Sequence, residues 1–212
     1  MTGSKPAIST TRRRAPAPEE RQVDGDRTRA ALLEAALEEF AAKGFAGATV
    51  RDIAARAGVG KDLIAYHFAS KEGLYLAVQG AWLRREDTFS DPDLPLDELI
   101  ARYLHDALTD PRPLRLLLWR GLSDPDQAPP DSSPEQEDLT SIRRRQRDGE
   151  LPEDIEAATL RLVLLAVVSA PVAFPDTTRR LFGTAPDDPD FEQRYLKGLR
   201  HLLAHLATPP AQ

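Results

Sequence analysis

An all-α fold is predicted for this 212-residue chain by three observations. Apolar residues recur at spacings of three and four, the period of one helix face. Breakers such as Gly44, Pro95, Pro111, Pro113, Gly149 and Pro171 punctuate those stretches. Residues 49–71, TVRDIAARAGVGKDLIAYHFASK, read as two short helices joined by a tight glycine turn.

Residues 1–25 are rich in Pro, Ser, Thr, Arg and Ala without apolar periodicity, and a disordered N-terminal arm is expected there. Asp26 is a possible N-cap for a first helix that runs to Lys43, where Gly44 stops it. Ala30, Leu33, Leu37 and Phe40 form its stripe, and Phe45 is expected to close over its end. Thr49 and Asp52 make a capping pattern for the second helix, whose inner face is Val50, Ile53, Ala54 and Ala57. Gly58 stands where the chain must turn and take φ > 0, with Val59 plugging the turn. The third helix, about Lys61 to Phe68, turns Ile64 and Phe68 inward. That leaves Lys61, Leu63, Ala65, Tyr66 and His67 toward solvent or a ligand. Ser70 caps a fourth helix, to about Asp87, that buries Leu74, Ala77, Val78, Ala81 and Trp82.

Beyond the break at residues 91–95, Leu96, Leu99, Ile100, Tyr103, Leu104, Ala107 and Leu108 form a clean stripe. Leu114 to Leu122 is apolar almost all round, so burial on several sides is expected. A Pro/Asp/Ser loop at 124–134 precedes a polar helix from about Glu135 to Asp148. Pro152 to Val172 reads as the most hydrophobic helix, which Pro171 kinks or ends. Asp190 is the expected cap of a last helix bearing Phe191, Tyr195, Leu199, Leu202, Leu203 and Leu206.

Composition narrows the function. No cysteine is present, so disulfides and thiolate metal sites are excluded, which suits a reducing cytoplasm. The longest apolar run, Leu162 to Phe174, is interrupted by Ser169 and Pro171, so no membrane span is expected. Arg12 to Arg14 are followed by no hydrophobic region, so no secretory signal is read. The chain is acidic overall, with 28 Lys+Arg against 34 Asp+Glu. Residues 1–80 nevertheless carry 12 basic and 10 acidic groups, leaving 16 and 24 beyond. An acidic body with a mildly basic end is compatible with phosphate binding, which depends on local charge.

The stretch from Thr49-Val50 through Ile53-Ala54, Ala57-Gly58-Val59 and Tyr66-His67-Phe68 to Lys71-Glu72 and Leu74 resembles the DNA-binding domain of TetR-family transcriptional regulators. The resemblance implies an N-terminal three-helix helix-turn-helix DNA-binding domain (26–70) and a C-terminal helical ligand-binding and dimerisation domain (71–207), with a short tail at 208–212. It implies no enzyme and no cofactor. It also implies a homodimer on a palindromic operator in double-stranded DNA, and a small-molecule effector.

Carried onto this chain, the phosphate-holding positions are Thr49, Tyr66, His67 and Lys71. Base reading falls to Arg51, Lys61, Asp62, Leu63 and Ala65, where Arg or Lys can donate to guanine and Ala or Leu can only touch methyl groups. Gly60, Leu63 and Ala65 depart from the family pattern, which commonly has small hydroxyl residues at the first two and an aromatic at the third. The departures affect operator sequence rather than fold. The Arg12–Arg14 arm reads equally as a DNA contact or a solvated tail. Tyr103 and Trp119 are candidates to line an effector pocket, and core packing accounts for them as well. Val163, Val167, Tyr195, Leu199, Leu202 and Leu206 are the expected dimer interface, against the alternative that they close the monomer's own core. His201 and His205 have a metal-compatible spacing but no carboxylate partner, and a solvated or interface pair is favoured over a metal site. The alternatives are a ligand-independent DNA-binding activator or architectural protein, and a helical enzyme; for the enzyme, no P-loop, dinucleotide fingerprint, His-Glu metal motif or Ser-His-Asp arrangement is present.

Overall fold

A computed structural model of the chain describes residues 18–124, 126, 129–130 and 138–207, with side chains described from residue 24 to residue 205 within those limits. The Arg12–Arg14 arm, most of the 124–134 loop, the expected start of the polar helix at Glu135, the side chain of Leu206 and the tail lie outside the described residues. Among the described residues the regular elements are all helices: α1 (Pro18–Gly47), α2 (Val50–Ala57), α3 (Asp62–Phe68), α4 (Lys71–Glu86), α5 (Leu96–Thr109), α6 (Arg112–Leu122), α7 (Thr140–Arg147), α8 (Ala157–Ala173), α9 (Pro175–Phe182) and α10 (Pro189–Ala207).

The first helix departs from expectation in two ways. It begins at Pro18, so Asp26 lies within it and residues 18–25 are helical rather than part of an arm. Proline at the first helical position loses no bond, a start signal hidden by the surrounding compositional bias. Its buried face centres on Leu32, Ala35, Ala36 and Phe40, with Leu33 and Leu37 at its edges and Ala30 exposed. The shift arises because α1 is covered by α6 as well as by α2 and α4. Gly44 breaks the helix as expected, at φ 68° and ψ 175°.

The head's core holds Leu32, Ala36, Phe40, Ile53, Ile64, Phe68, Leu74, Tyr75 and Val78. Phe40 stacks on Phe45 at 5.9 Å and meets Tyr75 edge-on at 5.1 Å, with Tyr75 likewise edge-on to Phe45 at 5.3 Å. Tyr75 falls outside the stripe expected of α4, whose Ala81 and Trp82 are only half-buried. Leu116 of α6 also belongs to this core, so the head draws on a helix of the body. The expected burial of α6 on several sides is not found. Leu116 is enclosed and Trp119 lies against α1 with part of its ring exposed, but Leu117 and Leu122 are open, because α1, α8 and α5 together leave one side of α6 uncovered.

The body's core joins Leu96 and Ile100 of α5, Ile142 of α7, Leu151, Ala157 and Leu160 of α8, and Leu199 of α10. Buried Arg145 of α7 holds the 92–94 segment, donating to the carbonyls of Pro92 (3.0 Å) and Leu94 (2.8 Å) while paired with Glu150. The apolar helix starts at Ala157, five residues after Pro152, and runs past Pro171 to Ala173. Proline has no N–H for the carbonyl four residues earlier. The Tyr195 hydroxyl of α10 instead donates to the Val167 carbonyl at 2.8 Å. Helix α9, bent 87° from α8, was not picked out by the apolar stripe because it shows only one buried side chain, Thr178. No single helix among the described residues is long and apolar enough to cross a membrane, although the bent α8–α9 pair reaches that length and composition together.

Candidate nucleic-acid interface

The reading surface is built on α2 and α3. Thr49 Oγ1 accepts from the Asp52 N–H at 3.1 Å, fixing the start of α2. A bond from Thr49, then Lys43 at 3.4 Å, hold the Asp52 carboxyl below its ordinary range. The Thr49 hydroxyl therefore serves the cap as well as standing exposed at the head of α2. Gly58 ends α2 in the left-handed region at φ 69°, and its N–H returns to the Ala54 and Ala55 carbonyls.

Helix α3 is held from behind by Ile64 and Phe68. Its outward residues follow the sequence reading with one correction. Lys61, Asp62 and Ala65 are exposed and Tyr66 is 80% exposed, but Leu63 is half-buried against the head's core. Leu63 and Val59 both pack against that core, which leaves only part of the Leu63 side chain exposed. Tyr66 and His67 meet edge-on at 4.9 Å, so the exposed phenol and the half-buried imidazole form one feature. Arg51 is exposed on α2.

The join from α3 to α4 is tight. Ser70 Oγ accepts from the Gly73 N–H at 3.1 Å, and Ala69 takes a positive φ of 64°. A Cβ on Gly73 would be driven into the Phe68 carbonyl oxygen, so this position tolerates no side chain without backbone movement. Lys71, expected to meet phosphate, is half-buried with its Nζ 4.4 Å above the Phe45 ring, and burial lowers its pKa. Arg29 of α1 stands 5.2 Å over the Phe68 ring, which brings a cation to the end of α3. The apolar spacing of α1 gives no sign of the ring beneath Arg29.

Behind this surface, Glu39 is 3% exposed and pairs with Lys43 Nζ at 2.6 Å and Arg56 Nε at 2.8 Å. The Lys43 bond, outweighing burial, keeps its carboxyl below the ordinary range. This pair ties α1 to α2 and takes Lys43 and Arg56 out of the set free to meet phosphate. No apolar periodicity points to it, because a glutamate inside a stripe reads as an edge.

The other site residues separate. The Tyr103 hydroxyl donates to Glu86 Oε1 (2.5 Å) and lies 3.0 Å from Ser90 Oγ, with Phe89 edge-on at 5.2 Å, and its burial followed by the Glu86 bond pushes its pKa up to about 12. Trp119 lies instead on α1, its Nε1 donating to the Ala41 carbonyl at 3.0 Å. The two aromatics do not share a pocket. A small apolar cavity in the body is lined by Ile100, Leu160, Val163, Val167, Leu199 and Leu202 among others, and neither aromatic reaches it. The expected interface residues also divide. Leu199 is buried in its own chain and Tyr195 is engaged with Val167, whereas Val163 and Leu202 are 45% and 58% exposed. His201 and His205 are exposed, and His205 Nδ1 lies 2.8 Å from the His201 carbonyl.

Residues 32–78 match the family model for bacterial regulatory proteins of the tetR family, and residues 95–196 match the tetracyclin repressor-like C-terminal domain. The HTH-type transcriptional repressor SCO4008 of Streptomyces coelicolor is 32% identical over 166 residues, covering 76% of this chain and 86% of that protein. The HTH-type transcriptional regulator RutR of Escherichia coli is 39% identical over 85 residues, 35% of this chain and 40% of its own. Among solved structures, the transcriptional regulator SCO4942 of Streptomyces coelicolor superposes with a TM-score of 0.66 at 23% identity, over 82% of this chain and 97% of that one. A gamma-butyrolactone receptor gives 0.58 at 23% identity, over 86% and 98%.

Proposed function

The chain belongs to the TetR family of bacterial DNA-binding transcriptional regulators, and from that premise we propose that it is a homodimeric repressor whose hold on a palindromic operator is released by a small-molecule effector. The observation that carries the DNA-binding part is the exposed α2–α3 surface. Arg51, Lys61, Asp62, Ala65 and Tyr66 face outward together, while Ile53, Ile64 and Phe68 anchor their helices in a closed core. Thr49, Tyr66, His67 and Lys71 hold phosphates, and Arg51 and Lys61 read base edges with Asp62, Ala65 and the exposed part of Leu63. The sign of regulation follows SCO4008, a repressor, over most of its length.

A second copy covers the apolar surface that α8 and α10 leave open. Leu162, Val163 and Phe174 on α8 and its end, with Leu202 on α10, are each at least 45% exposed, and large apolar exposure on these two helices supports a partner there. A closed twofold dimer buries that surface and presents two heads to two half-sites. An effector bound in the body acts by favouring one head separation over another.

Selection of sites from random duplexes by the full-length protein tests this reading. Enrichment of a palindrome with half-sites about one helical turn or a multiple apart is expected; enrichment of no symmetric site overturns it. On the selected site, Tyr66→Ala and Lys71→Ala each weaken binding to specific and random DNA alike, and Lys71→Ala also lowers the salt slope by about one. Unchanged affinity in Tyr66→Ala, or an unchanged slope in Lys71→Ala, removes that residue from the phosphate contacts.

A further inference from the structure

Helix α4 joins head and body through the chain itself, but α6 makes a second connection through side chains. Arg112, Leu116 and Trp119 are four and three residues apart and share one face of α6. All three engage the head. Arg112 Nη1 reaches Glu34 Oε1 at 2.5 Å and Glu38 Oε2 at 3.3 Å, one turn apart on α1. Leu116 is buried in the head's core. Trp119 binds the Ala41 carbonyl, and its ring lies on Gly44, where a Cβ would come within 3.1 Å of two ring carbons. The contacts advance along α1 as they advance along α6, so the two helices are clamped side by side.

Asp110, just before α6, links this clamp to α4. Its carboxylate takes Arg112 in a fork, Nε to Oδ1 at 2.8 Å and Nη2 to Oδ2 at 2.9 Å. Arg85, in the last turn of α4, lies 3.6 Å from the same carboxylate and 2.5 Å from Asp106 Oδ1. Asp110 is 14% exposed, and the Arg112 fork, outweighing burial, holds its carboxyl below the ordinary range. A planar guanidinium in a half-buried fork is a directional joint, unlike a solvated surface pair. Both head helices that contact the body, α1 through Arg112 and α4 through Arg85, therefore meet at one carboxylate.

We infer that Arg112 and Trp119 are positioning residues for operator recognition: they clamp the head to α6, and Asp110 locks that clamp to α4, so that together they fix the orientation of the head on the body. The consequence for DNA rests on the repressor reading; the clamp itself does not. None of these side chains belongs to the α2–α3 reading surface, so their effect on DNA is on geometry alone.

The absence of cysteine allows spin labels to be placed at will. Ala55→Cys on α2 and Ala158→Cys on α8 are both exposed positions. Pulsed electron resonance on the full-length labelled protein, diluted into unlabelled chain and without DNA, should give a narrow head-to-body distance. Combining Arg112→Ala with Trp119→Phe should broaden or shift it while circular dichroism stays helical; an unchanged distribution overturns the inference. Should that chain fail to fold, Glu34→Gln with Glu38→Gln detaches α1 while sparing the Asp110 fork, and is read the same way. On the selected operator the variants should lose about five- to tenfold in affinity, with random-DNA affinity, single half-site affinity and salt slope unchanged. An equal loss on a single half-site would mean damage within the head and would overturn the positioning role. If the wild-type chain selects no operator, the repressor reading fails and the distance measurement alone decides the clamp.

Discussion

Phe40 in the head and Leu202 in the body are both large apolar residues on amphipathic helices, yet Phe40 is wholly enclosed and Leu202 is 58% exposed. Phe40 sits in a core to which α2, α3, α4 and α6 all contribute, with Phe45 and Tyr75 against its ring. The body buries Leu199 but leaves Leu162, Val163, Phe174 and Leu202 open. One region is closed within a single chain, and the other leaves large apolar side chains uncovered, which a second copy covers if the dimer proposed above forms. Folding of the head should therefore be a property of sequence alone, and stability of the body a property of concentration.

The largest effect should come from the closed side. Phe40→Ala removes a fully enclosed ring and should cost about 3–5 kcal/mol in denaturant unfolding. A cost near that of a surface change would mean the head is not closed as described. Leu202→Glu should leave helicity intact and convert the protein to a monomer by light scattering, since an added charge on an apolar interface is desolvated without a partner. A persistent dimer would move the interface elsewhere and break the contrast. Thermal midpoints of the wild type should rise with protein concentration, and those of Leu202→Glu should not.

A smaller effect is expected at the start of α2. Thr49→Ala removes the acceptor for the Asp52 N–H and should cost about 1 kcal/mol, read as a lower unfolding midpoint with dimer mass unchanged. The smallest is spectroscopic. Tyr103 has a folded pKa raised to about 12, so its neutral form is favoured in the folded chain. Its contribution is fully present below the ordinary phenol value and is lost as pH rises through about 12. Absorbance titration should show a phenolate step near that pH that Tyr103→Phe abolishes; survival of the step in that variant would assign it to another tyrosine.

Much of the head was legible from local rules. The Thr49 and Ser70 caps and the turn at Gly58 each depend on a few adjacent residues, and each is found where the sequence puts it. The residues that close the head were less visible. Tyr75 lies beside its helix's apolar stripe, and Glu39 is a buried charge whose partners are 4 and 17 residues away. A periodic pattern reports which face of a helix is apolar, but not how many neighbours cover it. For that reason α6, apolar almost all round, reads as buried on several sides, whereas Leu117 and Leu122 are open. The interface reading divided for the same cause: Val163, Tyr195, Leu199 and Leu202 look alike in a stripe, and only their rotation about the helix axes separates own core from open surface.

What the sequence determined by itself is the all-helical class, the reading helices and their caps, because hydrophobic period, capping chemistry and turn glycine act over at most a few residues. What the tertiary structure decided is which side chains join distant helices. Arg112 finds Glu34 across 78 residues, Trp119 finds Ala41 across the same interval, and Tyr195 takes the carbonyl that Pro171 leaves free. Such contacts depend on the angle and rotation of whole helices, which are set by packing of the complete core and by no local pattern.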